Sequence, residues 1–85
     1  MSYKPRFACP CCGFLTLHEE PPGSYEVCPV CDWEDDAVQS ADAEYEGGAN
    51  AISLRQARAN FREFGAAERA SLVRVRSPHP EEMPG

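Results

Sequence analysis

The five cysteines of this chain, all within the first 31 residues, are the side chains best suited to chemistry. The chain holds two copies of a Cys-Pro-x-Cys motif, Cys9-Pro10-Cys11-Cys12 and Cys28-Pro29-Val30-Cys31, with fifteen residues between them. Two intervening residues allow a tight turn to direct both sulfurs of a motif at one ion, and proline preorganises that turn by restricting φ. The spacing therefore predicts a tetrahedral site of four thiolates.

One cysteine is left over when the two motifs are aligned. Cys11 occupies the place that Val30 has in the second copy. We therefore expect Cys11 to lie outside the site, and we predict that the metal ligands are Cys9, Cys12, Cys28 and Cys31. Disulfides or inert buried thiols are the alternative. The odd number of cysteines and the lack of an apolar signal-peptide run near the N-terminus favour metal binding.

Zinc is the predicted metal, because structural sites of four cysteines usually hold zinc. Iron is the alternative, since Cys-Pro-x-Cys-Gly turns resemble those of rubredoxins. Gly13 completes that pattern in the first motif, whereas Asp32 stands in its place in the second. Both positions follow the second sulfur, where a left-handed backbone conformation is expected, and aspartate tolerates it less easily than glycine.

Cys11 has two further interpretations as a chemically active group. Neighbouring Lys4 or Arg6, together with a bound metal, would lower the pKa of its thiol and favour redox chemistry or nucleophilic attack. No histidine lies close in sequence to act as a base, and a spare cysteine more often packs as a small apolar side chain. We therefore expect no enzymatic activity.

The segment Trp33-Glu34-Asp35-Asp36 directly follows the second motif. It could form an acidic recognition strip or a second cation site, but a run of acids does not by itself provide converging oxygens. The favoured interpretation packs Trp33 on the cysteine turn and leaves the acids in solvent. The two histidines, His18 and His79, are expected to be exposed and not to bind the metal.

The charge of the chain restricts its partners. The 85 residues carry a net charge of −6. Residues 1–50 contribute −8, from two basic and ten acidic residues, and residues 51–85 contribute +2, from six arginines and four glutamates. An acidic chain is poorly suited to nucleic acid or anionic membranes, so we expect neither as a partner. A cytoplasmic location is expected, because reduced cysteines bind metal there.

Short elements are predicted to position these cysteines. The segments 7–8, 14–17, 25–27 and 33–34 are β-prone and flank the two motifs, and a turn is predicted over 21–24. Residues 35–48 are predicted to form a loop. A helix is predicted over Leu54–Phe64, because its apolar residues recur at helical spacing, Ser53 can cap it and Gly65 can end it. Residues 72–75 are a candidate strand, and residues 77–85 a disordered tail.

Two blocks of sequence resemble the cysteine-rich CPCC family of small bacterial proteins. The first block comprises residues 9–16 and 23–36, with both cysteine motifs and the Trp-Glu-Asp-Asp segment, and the second comprises 48–61 with Phe64-Gly65. The resemblance implies metal binding through the paired cysteines. It names no substrate.

The predicted fold is a small α+β domain over residues 1–76, in which a zinc-ribbon-like pair of β-hairpins with cysteine turns packs against one amphipathic helix. The ion would replace part of the core that so short a chain lacks. The favoured function is that of a non-enzymatic module whose acidic surface binds a protein partner. If charge drives the association, that partner is basic. The alternatives are a redox or metal-handling protein that uses Cys11 or iron, and, less favoured, a nucleic-acid-binding ribbon.

Overall fold

The computed structural model describes residues 6–84 as a small α+β structure. Strands β1 (Phe7–Ala8) and β2 (Leu15–Leu17) form an antiparallel sheet, with Phe7 opposite Leu17 and Ala8 opposite Leu15. Helix α1 spans Ala37–Ala41 and helix α2 spans Leu54–Phe64. Two 3₁₀ helices follow at Arg69–Val73 and Pro80–Glu82. Within residues 6–84, no helix has the length and apolar character needed to cross a membrane.

The segments on either side of the second cysteine motif pair less regularly than β1 and β2. Val27 and Glu34 form an isolated antiparallel bridge. Hydrogen bonds from Tyr25 N–H to the carbonyl of Asp35 and from Asp35 N–H to the carbonyl of Glu26 continue the pairing. Tyr25 has a φ of 59°, which interrupts the extended conformation that a longer strand needs. The two segments predicted as strands here are therefore joined by a bridge rather than by a regular ladder.

Helix α2 has the bounds predicted from the sequence. The Ser53 hydroxyl accepts a hydrogen bond from Gln56 N–H at 3.1 Å and so caps the first turn. Gly65 ends the helix in the left-handed conformation, with a φ of 91°. Leu54 and Ala57 on the inner face are buried, and these local signals explain why the prediction is correct.

Helix α1 lies in a segment predicted to be a loop. The Asp36 carboxylate caps it by accepting hydrogen bonds from Val38 N–H and Gln39 N–H. The side chain that α1 buries is that of Gln39, which has no exposed surface. A helix that turns a polar side chain inward has no apolar periodicity, and for this reason the sequence pattern did not indicate it.

The C-terminal region also differs from the prediction. A strand was expected over 72–75, but residues 69–73 form a 3₁₀ helix. This helix turns Ser71 inward, where its hydroxyl bonds Asp32. A disordered tail was expected over 77–85, yet residues 80–82 form a helical turn with Glu82 fully buried. Arginine side chains hold this segment through its carboxylate, and apolar content alone does not reveal such an ionic contact.

The core is built around the cysteines. Residues of both motifs pack with Trp33, Leu54, Ala57 and Ala67 in one buried cluster, and Phe14 and Phe61 lie partly buried against it. The rings of Phe14 and Phe61 meet edge to face, with centroids 6.1 Å apart. The fold thus places the sulfurs between the β1–β2 hairpin, the second motif and the inner face of α2.

Candidate metal centre

The first cysteine motif folds into a tight turn, which we name the first knuckle (residues 9–14). Cys9 N–H donates to the carbonyl of Phe14 at 2.9 Å, and Gly13 N–H donates to the carbonyl of Cys9 at 2.8 Å. Gly13 has a φ of 82°, a conformation that glycine adopts without steric cost. The turn therefore closes on itself and presents the Cys9 and Cys12 side chains together.

The second motif repeats this turn as the second knuckle (residues 28–33). Cys28 N–H donates to the carbonyl of Trp33 at 2.9 Å, and Asp32 N–H donates to the carbonyl of Cys28 at 2.7 Å. Asp32 takes the place of Gly13, with a φ of 73°. The hydroxyl of Ser71, 2.7 Å away, and the guanidinium of Arg74 hold the Asp32 carboxylate. These contacts fix a residue that lacks glycine's freedom in a left-handed conformation.

Backbone N–H groups point at the first sulfur of each knuckle. Cys11 N–H lies 3.4 Å from Cys9 Sγ, and Val30 N–H lies 3.4 Å from Cys28 Sγ. Such bonds stabilise negative charge on sulfur. Cys11 is thus the structural counterpart of Val30, buried as an intervening residue of the turn, in the position that the sequence alignment of the two motifs predicts.

The structure brings together the four sulfurs predicted to bind metal. Cys9 Sγ lies 3.6 Å from Cys31 Sγ, and Cys12 Sγ lies 3.7 Å from Cys28 Sγ. The sulfurs of all four residues lie within 4.8 Å of one another. A tetrahedral zinc site with Zn–S bonds of about 2.3 Å has sulfurs about 3.8 Å apart. The donor set and its spacing therefore fit a tetrahedral ion.

Electrostatics within the cluster also favour a cation. Hydrogen bonds from neighbouring thiols, chiefly from Cys12, hold the pKa of Cys28 well below its usual range. Hydrogen bonding to neighbouring thiols, chiefly to Cys11, raises the pKa of Cys31. Thiolates 3.6 and 3.7 Å apart repel one another, so without a cation the four sulfurs do not all ionise together. A divalent cation removes this conflict, because its charge replaces the protons and lets all four sulfurs be thiolates.

Thr16 is a residue of the site that the sequence analysis missed. Its side chain is buried, and Oγ1 lies 3.0 Å from Cys28 Sγ. When Cys28 is a thiolate, the hydroxyl is the hydrogen-bond donor. Thr16 precedes Cys28 by twelve positions and belongs to β2, so no local motif connects the two residues. Strand alternation within 14–17 was the available clue that one of these side chains faces inward.

The acids after the second knuckle are not arranged as a solvated or recognition strip. Trp33 is buried as predicted, but Asp35 and Asp36 are buried as well. Asp35 accepts hydrogen bonds from the backbone and hydroxyl of Ser24. Asp36 caps α1 and binds Ala49 N–H at 2.8 Å, and the latter bond is the chief reason that its pKa is lowered. These carboxylates organise the loop and are unavailable to a partner.

Both histidines lie where the sequence analysis expects them. His18 and His79 are exposed, and neither belongs to the four-residue sulfur cluster. His18 Nδ1 lies 3.1 Å from the Glu26 carboxylate. Lys4, a suggested neighbour of Cys11, lies outside the residues that the structure describes.

Comparison with known families supports the resemblance noted in the sequence. A family model described as cysteine-rich CPCC matches residues 7–82, which include both knuckles, both helices and the buried Glu82. No curated protein matches the chain. Since the match covers most of the 85 residues, the chain belongs to the cysteine-rich CPCC family.

Proposed function

We propose that this chain is a small zinc-binding protein whose ligands are Cys9, Cys12, Cys28 and Cys31, and whose ion is structural. The observation that carries the proposal is the spacing of the sulfurs, with all four within 4.8 Å of one another and three of the four cysteines buried. The ion joins the two knuckles in a zinc-ribbon-like arrangement. The energy of binding then contributes to folding, because the cluster is also the centre of the core.

A rubredoxin-like iron centre is the second candidate. The N–H groups of Cys11 and Val30, each 3.4 Å from a sulfur, would stabilise iron thiolates as well as zinc thiolates. Zinc is preferred because redox cycling is not needed for a structural role. The two metals differ visibly, since ferric thiolates absorb visible light and zinc thiolates do not.

The proposed role of the loaded protein is non-enzymatic binding of a basic protein partner in the cytoplasm. The net charge of −6 supports this role, because it attracts a cationic surface over a distance. Since Asp35 and Asp36 are buried, other acids must provide the attraction. Exposed candidates without an ion-pair partner within residues 6–84 are Glu19, Glu20, Asp42 and Glu46.

Metal analysis of the purified chain tests the first part of the proposal. We expect one zinc ion per chain and no visible absorption band. Cys28→Ser should abolish stoichiometric binding, whereas Cys11→Ser, its matched control in the same cluster, should retain it. Metal retained by Cys12→Ser but lost by Cys11→Ser would contradict the ligand assignment.

Capture of a partner by the zinc-loaded chain tests the interaction role. A variant with Glu19→Gln, Glu20→Gln, Asp42→Asn and Glu46→Gln should keep its zinc but bind a captured basic protein more weakly, most clearly at low salt. Glu63→Gln with Glu81→Gln is the control, since both residues are exposed acids of the C-terminal part. Equal binding by the fourfold variant and the unchanged chain at low ionic strength would contradict an acidic binding surface.

A further inference from the structure

The two knuckles share one turn geometry but are held very differently by the rest of the chain. Distant segments form hydrogen bonds with four residues of the second knuckle, which are Cys28, Pro29, Cys31 and Asp32. Ala67 N–H donates to the carbonyl of Cys31 at 2.8 Å, and Arg76 N–H donates to the carbonyl of Pro29 at 3.1 Å. Its sulfur Cys28 Sγ is bonded by Thr16.

The residue that ends the second knuckle is fixed as well. Ser71 and Arg74 hold the Asp32 carboxylate, with the Ser71 hydroxyl at 2.7 Å and Arg74 Nη2 at 2.9 Å. Both of its cysteines, Cys28 and Cys31, have no exposed surface. Opening of this knuckle would break several buried contacts at once.

The first knuckle has fewer such supports. Within residues 6–84, its hydrogen bond from a distant segment comes from Arg58, whose Nε donates to the carbonyl of Pro10 at 2.9 Å on the exposed side of α2. Gly13 has no neighbour in contact with the space where a Cβ would lie. Cys12 is partly exposed, whereas the other four cysteines are buried. The first knuckle is therefore the half that can open at lower cost.

From this asymmetry we infer that the second knuckle is the fixed half of the metal centre and that the first knuckle is the half that opens more readily. Ligand exchange and thiol modification therefore begin at Cys12. The inference rests on the proposed metal site and concerns how that site opens. An incoming thiolate or electrophile of a partner reaches Cys12 first, while Cys28 and Cys31 keep the ion attached to the fixed half. Such a centre releases or exchanges its metal by a defined route.

N-Ethylmaleimide and a colorimetric zinc chelator test this route on the full zinc-loaded chain. The Cys12 sulfur gives an electron pair to the alkene carbon, and the adjacent carbon takes a proton from water, so the metal loses that ligand. We expect the first adduct on Cys12, located by fragmentation mass spectrometry, and transfer of zinc to the chelator only after that adduct has formed. A first adduct on Cys9, Cys11, Cys28 or Cys31 would overturn the inference.

Two arginine variants of α2 provide a matched comparison. Within residues 6–84, the Arg58 side chain bonds the first knuckle, whereas the exposed Arg55 side chain bonds Glu44 and neither knuckle. Arg58→Ala should speed adduct formation and zinc release by roughly two- to tenfold, the effect of one lost hydrogen bond. Arg55→Ala removes a bond to Glu44 and should leave both rates unchanged. Equal acceleration by the two variants would overturn the inference. A chain that purifies without zinc would instead contradict the proposed function, so the two failures are distinguishable.

Discussion

At the scale of single residues, a side chain can take over what glycine does through its backbone freedom. Asp32 adopts the left-handed conformation that Gly13 adopts in the other knuckle. Its carboxylate is bonded by Ser71 and Arg74, and these contacts offset the steric cost of the conformation. Asp32 therefore contributes to the shape of the four-cysteine cluster, and its charge is already paired with Arg74.

Thr16→Val should weaken zinc binding, because the variant keeps the shape of the side chain but removes the hydroxyl 3.0 Å from Cys28 Sγ. Loss of a group that bonds a metal ligand typically lowers affinity by about 10- to 100-fold. Competition with a chelator of known affinity measures the change. Thr16→Ser should restore most of the affinity. Ser24→Ala is the control, since it removes a hydroxyl that bonds Asp35 and no sulfur. Unchanged affinity in Thr16→Val would exclude this role.

At the scale of elements, polar side chains connect α1 to the loop that precedes α2. The Gln39 amide donates to the carbonyls of Tyr45, Asn50 and Ile52, and its oxygen accepts from Asn50 N–H. Gly48 passes so close that a Cβ there would lie 2.8 Å from an Asp36 oxygen. The loop is thus held by hydrogen bonds to α1 in place of apolar packing.

Gln39→Leu should lower the free energy of unfolding by about 3 kcal/mol, because buried carbonyl and N–H groups of the loop would lose their partner. Urea unfolding of the zinc-loaded chain measures the change. Val38→Ala is a control on the same helix, since Val38 is 57% exposed and should change the stability by less than about 0.5 kcal/mol. A similar small effect for Gln39→Leu would show that the loop does not depend on α1.

At the scale of the whole molecule, two distant parts of the chain complete the fold. One part is the sulfur cluster in the core. The other is the C-terminal turn (Pro80–Glu82), which contacts β2. There the Glu82 carboxylate receives a two-pronged bond from Arg76, at 2.9 and 2.8 Å, and a further bond from Arg6 at 3.2 Å. This ionic contact and the proposed zinc ion would together supplement the small core of the chain.

Zinc removal should unfold the region around the two knuckles and loosen α2, because Leu54 and Ala57 pack on the cysteine cluster. Circular dichroism and thermal melting, before and after verified chelation, measure the loss of helix and stability. Readdition of zinc should restore both. An unchanged spectrum and melting temperature in the metal-free chain would contradict a structural role of the ion.

Glu82→Gln should destabilise the chain at neutral pH by about 3 kcal/mol, since the Arg76 guanidinium lowers the pKa of Glu82 from 4.5 to about 2. A lowered pKa gives stability that is present above the ordinary pKa and is lost as the pH falls towards the folded value. The difference in unfolding free energy between the two chains should therefore narrow between pH 4.5 and about 2.

Comparison of the two chains at each pH is needed, because acid also protonates the cysteine ligands and affects both chains equally. Glu81→Gln is the control, since its side chain is 56% exposed. It should have little effect at any pH. A Glu82→Gln chain as stable as the Glu81→Gln chain would show that the C-terminal turn does not support the fold.

The sequence by itself determined the features that depend on residues close together in the chain. The Cys-Pro-x-Cys spacing indicated both knuckles and grouped the four cysteines, and the caps at Ser53 and Gly65 located α2. Each of these signals acts over a few residues, through turn geometry or hydrogen bonds within one helix. Such interactions are readable from the sequence because both partners belong to the same local pattern.

Only the tertiary structure decided which polar groups are buried and which cysteine is exposed. Asp36 and Gln39 find partners in a loop ten or more positions away, and Glu82 binds Arg6 from the other end of the chain. A carboxylate or amide is buried only where distant donors converge on it. The residues next to it in the sequence do not show whether such donors are present, so they do not distinguish a buried polar group from an exposed one. For the same physical reason, the difference between Cys12 and Cys28 arises from the distant segments that cover one knuckle and leave the other partly open.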